Sequence, residues 1–230
     1  MTDSHDPSDL DALIARVDPE RWLSSRFVGD ASARADVIAL YAFDYELART
    51  PRVASSPLMG EIRLTWWREV LDEVFDARPV RHHPTAQAVA SVIRRHGLPR
   101  DKLESMVDAR YRELDAQPMN LDEALTWAEG TGGAVASLCA SLLDPHVDPA
   151  KACSAGKAWS IGMLIGTAGL TGNDARQALM AGLTNAAGLS PEAFPAIAHA
   201  TLARQRARGE RPSALAARLR ITWAVLRGRV

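Results

Sequence analysis

Apolar residues recur at helical spacing along almost the whole of this chain. In the segment 57–75 the pattern predicts one buried helical stripe, which consists of Met59, Ile62, Trp66, Val70 and Val74. Breaks rich in proline and glycine, such as residues 78–84 and 144–149, separate this segment from similar ones. The alternating runs of β-branched and aromatic residues that mark strands are absent from the sequence. The sequence therefore predicts an all-α fold.

The length and composition favour one soluble domain. The 230 residues, 47% hydrophobic and 24% charged, are enough to bury a sizeable core. We expect a polar, acidic N-terminal segment over residues 1–18 and a single-domain bundle of about ten helices over residues 19–230. No run of about 18 apolar residues predicts a membrane span. The acidic N-terminus differs from a secretory or transit signal, so we expect a cytoplasmic protein. In that compartment we expect Cys139 and Cys153 to be buried thiols.

Charge is distributed unevenly along the chain. The formal net charge is −1, but residues 201–230 hold eight arginines and one glutamate, a local charge of +7 that leaves −8 on the rest. A basic C-terminal helix on an acidic body suits an anionic lipid surface, a nucleic acid or an acidic partner. The alternative is a solvated helix face without a partner.

Two further segments carry local signals. Asn120 and Glu123 have the spacing of a helix N-cap and its capping box. The glycines of "EGTGGA" (129–134) follow no strand, so they indicate closely approaching helices better than a dinucleotide loop. In the segment 101–116 we expect the apolar residues to face inward and Asp108, Arg110 and Arg112 to form a surface salt-bridge ladder.

The stretch "YAFDYELARTPRV" (41–53) places polar groups on the inner face of an otherwise apolar helix. Helical spacing aligns Asp44, Ala48 and Arg52 on one face, and Pro51 is expected to end or kink the helix. A structural explanation is available, in which Asp44 or Glu46 pairs with Arg49 or Arg63.

These segments together resemble the squalene/phytoene synthase family over roughly residues 19–210. The resemblance is most specific in "SSRFVGDASARADVIALYAFDYELA" (24–48) and "GEIRLTWWREVLDEVF" (60–75), and it continues in "WAEGTGGAVASL" (127–138). "AGKAWSIGMLIGTAGLTGNDARQALM" (155–180) and "AAGLSPEAF" (186–194) also fit the family pattern. The resemblance implies the isoprenoid-synthase helical bundle, in which two aspartate-rich motifs on facing helices hold Mg²⁺ against diphosphate leaving groups.

The metal-binding positions of the family carry no carboxylates in this chain. The first motif falls on Ala48, Arg49 and Arg52, one turn after Asp44. The second motif falls on four residues of the segment 155–180, which are Met163, Gly166, Thr167 and Thr171. Arginines at the first site would repel Mg²⁺. We therefore expect no metal and no cofactor, with Mg²⁺ required only if the chain is a prenyltransferase after all.

The resemblance implies a catalytically inactive protein that acts by binding. "VDARYRELD" (107–115) is similar to a branch of the family that has lost these motifs and assists the assembly of respiratory complex I. The expected partners of this chain are complex I subunits or assembly factors. We also expect residues 201–230 to contact an anionic membrane surface, peripherally at the inner face of the membrane. No nucleic acid is expected. Residues that could contact a ligand or partner are Arg26, Tyr41, Glu46, Trp67, Asp108 and Arg112.

Two alternatives stay open at this point. The chain could be a Mg²⁺-dependent prenyltransferase of the squalene/phytoene synthase type, with displaced ligands drawn from Asp44, Glu46 and Asp108. It could also be a metal-free isoprenoid- or lipid-binding protein, in which Arg49 and Arg52 hold an anionic head group directly.

Overall fold

The structure is a computed structural model that describes residues 9–167, 170 and 172–230, without the side chains of residues 166 and 167. These residues form helices and turns, with no strand among them. The helices are α1 (Leu10–Val17), α2 (Pro19–Ser25), α3 (Ala31–Val53), α4 (Pro57–Phe75), α5 (Pro84–His96), α6 (Arg100–Tyr111), α7 (Leu121–Ala128), α8 (Ala134–Leu143), α9 (Pro149–Thr167), α10 (Asn173–Asn185), α11 (Ala203–Arg206) and α12 (Ala214–Arg227). The predicted all-α bundle is confirmed.

Two long helices organise the bundle. Helix α3 packs against α1, α4, α5, α6 and α8, and α9 packs against α7, α8, α10 and α11. One buried apolar cluster extends from Ile14 in α1 to Ala224 in α12. None of the helices in the described ranges is long and apolar enough to cross a membrane.

Several local predictions are confirmed by the helix ends and the cysteines. Asn120 caps α7 in a capping box with Glu123. Helix α3 ends at Val53, two residues after Pro51. Both cysteines are free thiols, and Cys139 is buried as predicted, which raises its pKa to about 12. The prediction is wrong for Cys153, which is only partly buried.

The predicted inner face of α4 is wrong in the first part of the helix, although Val70 and Val74 are buried as predicted. Ile62 is 53% exposed and Trp66 is partly buried, whereas Trp67 is 4% exposed in the core. Trp67 therefore contributes to the core, and it does not face a partner as proposed from the sequence. Its ring meets that of Phe43 on α3 edge-to-face, with the ring centroids 5.4 Å apart. This contact and the burial of Leu64 fix the helix rotation.

The glycines of residues 129–134 lie where two helices touch, as the sequence predicts. They form a single π-helical turn, Glu129–Gly133, between α7 and α8. A Cβ atom on Gly132 would lie 2.7 Å from the carbonyl oxygen of Gly156 on α9, and a Cβ on Gly156 would collide with the backbone of Gly132. The backbones of the two segments can approach this closely only because neither residue has a side chain.

We expect Gly156→Ala to lower the free energy of unfolding by about 1–3 kcal/mol, because the new methyl group overpacks a backbone contact. Without that contact, alanine would stabilise a helix interior relative to glycine. The matched control is Gly29→Ala, where nothing lies within 4 Å of the added Cβ. Urea unfolding of both variants measures the difference, and equal midpoints would show that the helices can separate at no cost.

Candidate functional site

A cavity of about 240 Å³ lies between α3 and α9, with further walls from α2, α6, α11 and the π-helical turn. Asp44, Ala48 and Arg52 line it from α3, as their helical spacing predicts, and Met163 lines it from α9. Trp159 of α9 occupies part of the same wall. The volume falls below the range of about 300–1,000 Å³ that is usual for small-molecule sites. The cavity as it stands is too small for two long prenyl chains.

Asp44 is the most strongly held charge in this cavity. Its two carboxylate oxygens accept hydrogen bonds from different arginines, Oδ2 from Arg21 of α2 and Oδ1 from Arg110 of α6, both at 2.6 Å. All three side chains are more than nine-tenths buried. Burial alone would raise the pKa of Asp44, but the guanidinium groups of Arg110 and Arg21 lower it below its usual value. Asp44 is therefore an ionised carboxylate with both oxygens occupied.

Further hydrogen bonds extend this cluster on each side. Arg110 also donates to Glu113 at 2.5 Å, and the indole nitrogen of Trp127 donates to the same Glu113 oxygen at 2.9 Å. On the other side of the cavity, Arg206 of α11 forms a salt bridge with Glu20 of α2. The buried charges of this cluster are thus paired within the protein, whereas Arg52 at the cavity wall has no salt bridge to a described side chain.

The predicted surface ladder of Asp108, Arg110 and Arg112 is wrong, because each of the three pairs with residues outside the set and Arg110 is buried. Arg110 is 4% exposed and points to Asp44, whereas Asp108 forms a salt bridge with Arg68 of α4. Arg112 forms a salt bridge with Glu123 at 2.9 Å. The reason is helical spacing, because residue 110 follows the buried Met106 by four positions and shares its inner face.

The remaining residues named from the sequence do not converge on one site. Glu46 pairs with Arg49 at 3.3 Å on the outer side of α3, and Arg26 contacts the indole of Trp22. Tyr41 is fully buried in the core. Gly166 and Thr167 belong to α9, without a description of their side chains, and Thr171 lies outside the described residues.

Asp108 and Arg112 line a different and larger groove. It has a volume of about 820 Å³ and lies among α6, α7 and α9, with Trp127 between it and the smaller cavity. Asp108 therefore does not share a cavity with Asp44, although both were candidates for a displaced metal site. Glu46, the third candidate, lines neither of these two cavities.

The residues of the smaller cavity do not fit a magnesium ion. Mg²⁺ requires oxygen ligands in near-octahedral geometry, usually with one or two free carboxylates. Both oxygens of Asp44 accept from arginines, and the carboxylate of Glu20 is paired with Arg206. Asp18, the third carboxylate, accepts a hydrogen bond from the backbone N–H of Arg21 and lies 3.6 Å from its guanidinium. Across the described ranges, no group of three or more His, Cys, Asp or Glu side chains could hold a metal ion.

Sequence reasoning missed Arg21, Glu113 and Arg206 as members of this cluster. Arg21 lies 23 residues from Asp44, and Arg206 lies 186 residues from Glu20, so local spacing carries no signal for either contact. The one available signal was the position of Arg110 on the apolar face of α6.

The family model for squalene/phytoene synthase matches residues 14–165. The chain is 31% identical over 153 residues to NADH dehydrogenase (ubiquinone) complex I, assembly factor 6, of Bos taurus and of Homo sapiens. Each match covers 65% of this chain and 45% of the relative. The chain thus spans less than half the length of the curated relatives it matches.

Two solved structures share the fold over nearly the whole chain. A dehydrosqualene synthase in complex with ligand has a TM-score of 0.73 at 12% identity, covering 96% of this chain and 95% of that one. A squalene synthase from Alicyclobacillus acidocaldarius has a TM-score of 0.59 at 13% identity, covering 96% and 94%. At these identities the likeness concerns the fold, and it confirms the isoprenoid-synthase-like bundle.

Asp44→Asn is expected to lower the free energy of unfolding by about 3–5 kcal/mol, because it removes the carboxylate that two buried guanidinium groups share. The control on the same helix is Glu46→Gln, which removes a partly exposed pair with Arg49 and should cost less than about 1 kcal/mol. Chemical denaturation at pH 7 measures both variants. A cost for Asp44→Asn as small as that of the control would show that the cluster is not structural.

A second prediction concerns His199, which packs edge-to-face against Tyr41 and Trp159 and is 2% exposed. Burial, with a contribution from Arg21, lowers the pKa of His199 well below its usual value. The unfolded chain then binds a proton near pH 6.5 that the folded protein does not, so His199 destabilises the fold as the pH falls below that value.

We expect this residue to account for about 1.4 kcal/mol of the stability lost between pH 7.5 and pH 5.5. His199→Leu should remove that part of the loss, which urea unfolding at the two pH values measures. An unchanged pH dependence in the variant would mean that His199 takes up a proton in the folded protein.

Proposed function

This chain belongs to the squalene/phytoene synthase family, and we propose that it acts by binding, in the assembly of respiratory complex I, without transferring prenyl groups. The observation that carries the proposal is the state of Asp44. Asp44, which lies one helical turn before the family's first metal motif on the same face, gives both of its oxygens to arginines of the protein itself. A carboxylate held in this way cannot also coordinate Mg²⁺ without breaking a buried ion pair.

The rest of the cavity supports the same proposal. The first-motif positions carry Ala48 and Arg52, and Met163 faces them from α9. A departing diphosphate needs multivalent positive charge in a water-poor site, and these side chains provide no ligand for such a cation. The cavity volume of about 240 Å³ is also small for the substrates of a prenyltransferase.

The part of the proposal that concerns complex I draws on the relatives. The mammalian proteins that match at 31% identity are named as assembly factors of this complex. We propose that this chain binds complex I subunits or other assembly factors, and that it does so in the cytoplasm, peripherally at the inner face of the membrane. Within this proposal the chain needs no cofactor and binds no nucleic acid.

Arg52 supports a second candidate, a metal-free isoprenoid- or lipid-binding protein. It lines the cavity, and no hydrogen bond or salt bridge joins it to another described side chain. A prenyl diphosphate or lipid head group could then bind to Arg52 directly. Arg49 is a weaker contributor because it lies on the outer side of the helix and pairs with Glu46.

Deletion of the gene in a host that carries complex I is expected to lower the NADH:quinone reductase activity of its membranes, and the wild-type gene should restore it. The purified protein should release no diphosphate from farnesyl or geranylgeranyl diphosphate at any Mg²⁺ concentration, because the carboxylates that line the cavity are paired with arginines of the protein. Normal complex I in the deletion strain would contradict the assembly role.

Variants separate the two alternatives from the proposed function. Metal-dependent diphosphate release that is lost in Glu46→Gln or Asp108→Asn would establish a displaced prenyltransferase site. Retention of a prenyl diphosphate without metal, lost in Arg49→Ala/Arg52→Ala, would establish the lipid-binding alternative. Both sets of changes leave the buried pair of Asp44 in place, so a loss of folding does not confuse the result.

A further inference from the structure

Helix α12 has two apolar faces, of which the bundle covers only one. Ala217, Ile221 and Ala224 are at most 4% exposed and pack on α2 and the 3₁₀ segment Ala198–Leu202. The opposite face carries four large apolar side chains with exposures of 56–74%, which are Leu215, Leu219, Trp223 and Leu226. We call these four residues the outer stripe of α12. A contiguous exposed stripe of this kind marks an interaction surface.

Arginines border the outer stripe on both sides. At 100° per residue, Arg218 falls on one side of the stripe, and Arg220 and Arg227 fall on the other. The guanidinium of Arg227 lies over the indole of Trp223, 4.5 Å from the ring centroid. Residues 211–230 contain five arginines and no acidic residue. Among the described residues, neither Arg218 nor Arg220 has a hydrogen bond or a salt bridge with another side chain.

We propose that α12 binds an anionic lipid surface, with the outer stripe in the headgroup region and the arginines on lipid phosphates. This inference rests on the proposed function, since it names the surface at which the protein would work. Leucine and tryptophan side chains between flanking arginines have the pattern of an interfacial helix that lies in the membrane plane. With 14 residues, the helix is about 21 Å long and lies along the surface.

Charge argues against the other occupants of this face. A second copy bound through the same stripe would bring five arginines against five, which is repulsive. A nucleic acid backbone would offer no apolar surface to cover the four side chains of the outer stripe. An anionic bilayer offers both the negative charge and the apolar layer. The formal charge of −8 on residues 1–200 would keep the rest of the molecule away from that bilayer.

The test is co-sedimentation of the full chain with vesicles of phosphatidylcholine alone and with 30% phosphatidylglycerol. We expect binding to the anionic vesicles, little binding to the neutral ones, and a loss of binding in high salt because the Debye length shortens. Arg218→Gln/Arg220→Gln should weaken the partition at least tenfold, since each arginine near the surface contributes about fivefold. Leu219→Asn/Trp223→Asn should weaken it by about tenfold or more.

The matched control is Leu58→Asn/Ile62→Asn on α4. It changes two apolar side chains that are 63% and 53% exposed, and the corresponding exposures of Leu219 and Trp223 are 63% and 56%. The control should bind vesicles like the wild type, and equal unfolding midpoints would show that all variants fold. The proposal is overturned if neutral vesicles bind equally, or if the α4 control loses as much binding as the α12 variant.

Other outcomes would identify a different occupant and so also reject the lipid surface. A concentration-dependent dimer that disappears in Leu219→Asn/Trp223→Asn would make the outer stripe an interface between copies. Unchanged vesicle binding in that variant, with loss of a co-purifying complex I subunit, would make it a protein interface. Vesicle binding needs no complex I, so a normal complex I in the deletion strain would reject the proposed function and leave the lipid result standing.

Discussion

The ion pair of Asp44 with two arginines is the interaction on which the interior of this protein depends. It joins α3 to α2 and to α6, and both of these helices also pack against α3. Three charges taken out of water cost several kcal/mol each, and the cost is offset only when every charge has a well-placed partner. Both oxygens of Asp44 are used in this way, and Glu113 occupies a second nitrogen of Arg110. Any change of rotation in one of the three helices would therefore leave a buried charge unpaired.

This arrangement replaces the physical role of a metal ion. In a magnesium site, a cation brings carboxylates of facing helices together and keeps positive charge available for a ligand. Here guanidinium groups attached to the chain supply the positive charge. The described walls of the cavity hold four arginines (Arg21, Arg52, Arg110 and Arg206) against the three carboxylates of Asp18, Glu20 and Asp44. Because Glu113 compensates Arg110 as well, little positive charge remains for a diphosphate.

The sequence predicts the helices better than it predicts their rotation. In α4 both Met59–Ile62–Trp66 and Leu64–Trp67–Leu71 have helical spacing, so periodicity alone could not choose between them. The contact of Trp67 with Phe43 on α3 decides the choice, and it depends on the packing of two helices. Of the cavity, spacing predicts the shared face of Asp44, Ala48 and Arg52 correctly. It could not predict the partners of Asp44, because Arg110 lies 66 residues further along the chain.

The proposed binding function places different demands on the interior of this protein and on its surface. The interior must only be stable, and a fixed internal ion pair serves this purpose, since no ligand has to enter and leave. The surface must then carry the specificity, and in this chain its strongest feature is the contrast between the arginine-flanked outer stripe of α12 and the acidic remainder. Under the lipid proposal, the charge of +7 on residues 201–230 and of −8 on residues 1–200 orients the molecule in the field of an anionic membrane. Near an anionic membrane that orientation turns α12 toward the lipid and leaves the acidic body free to meet another protein.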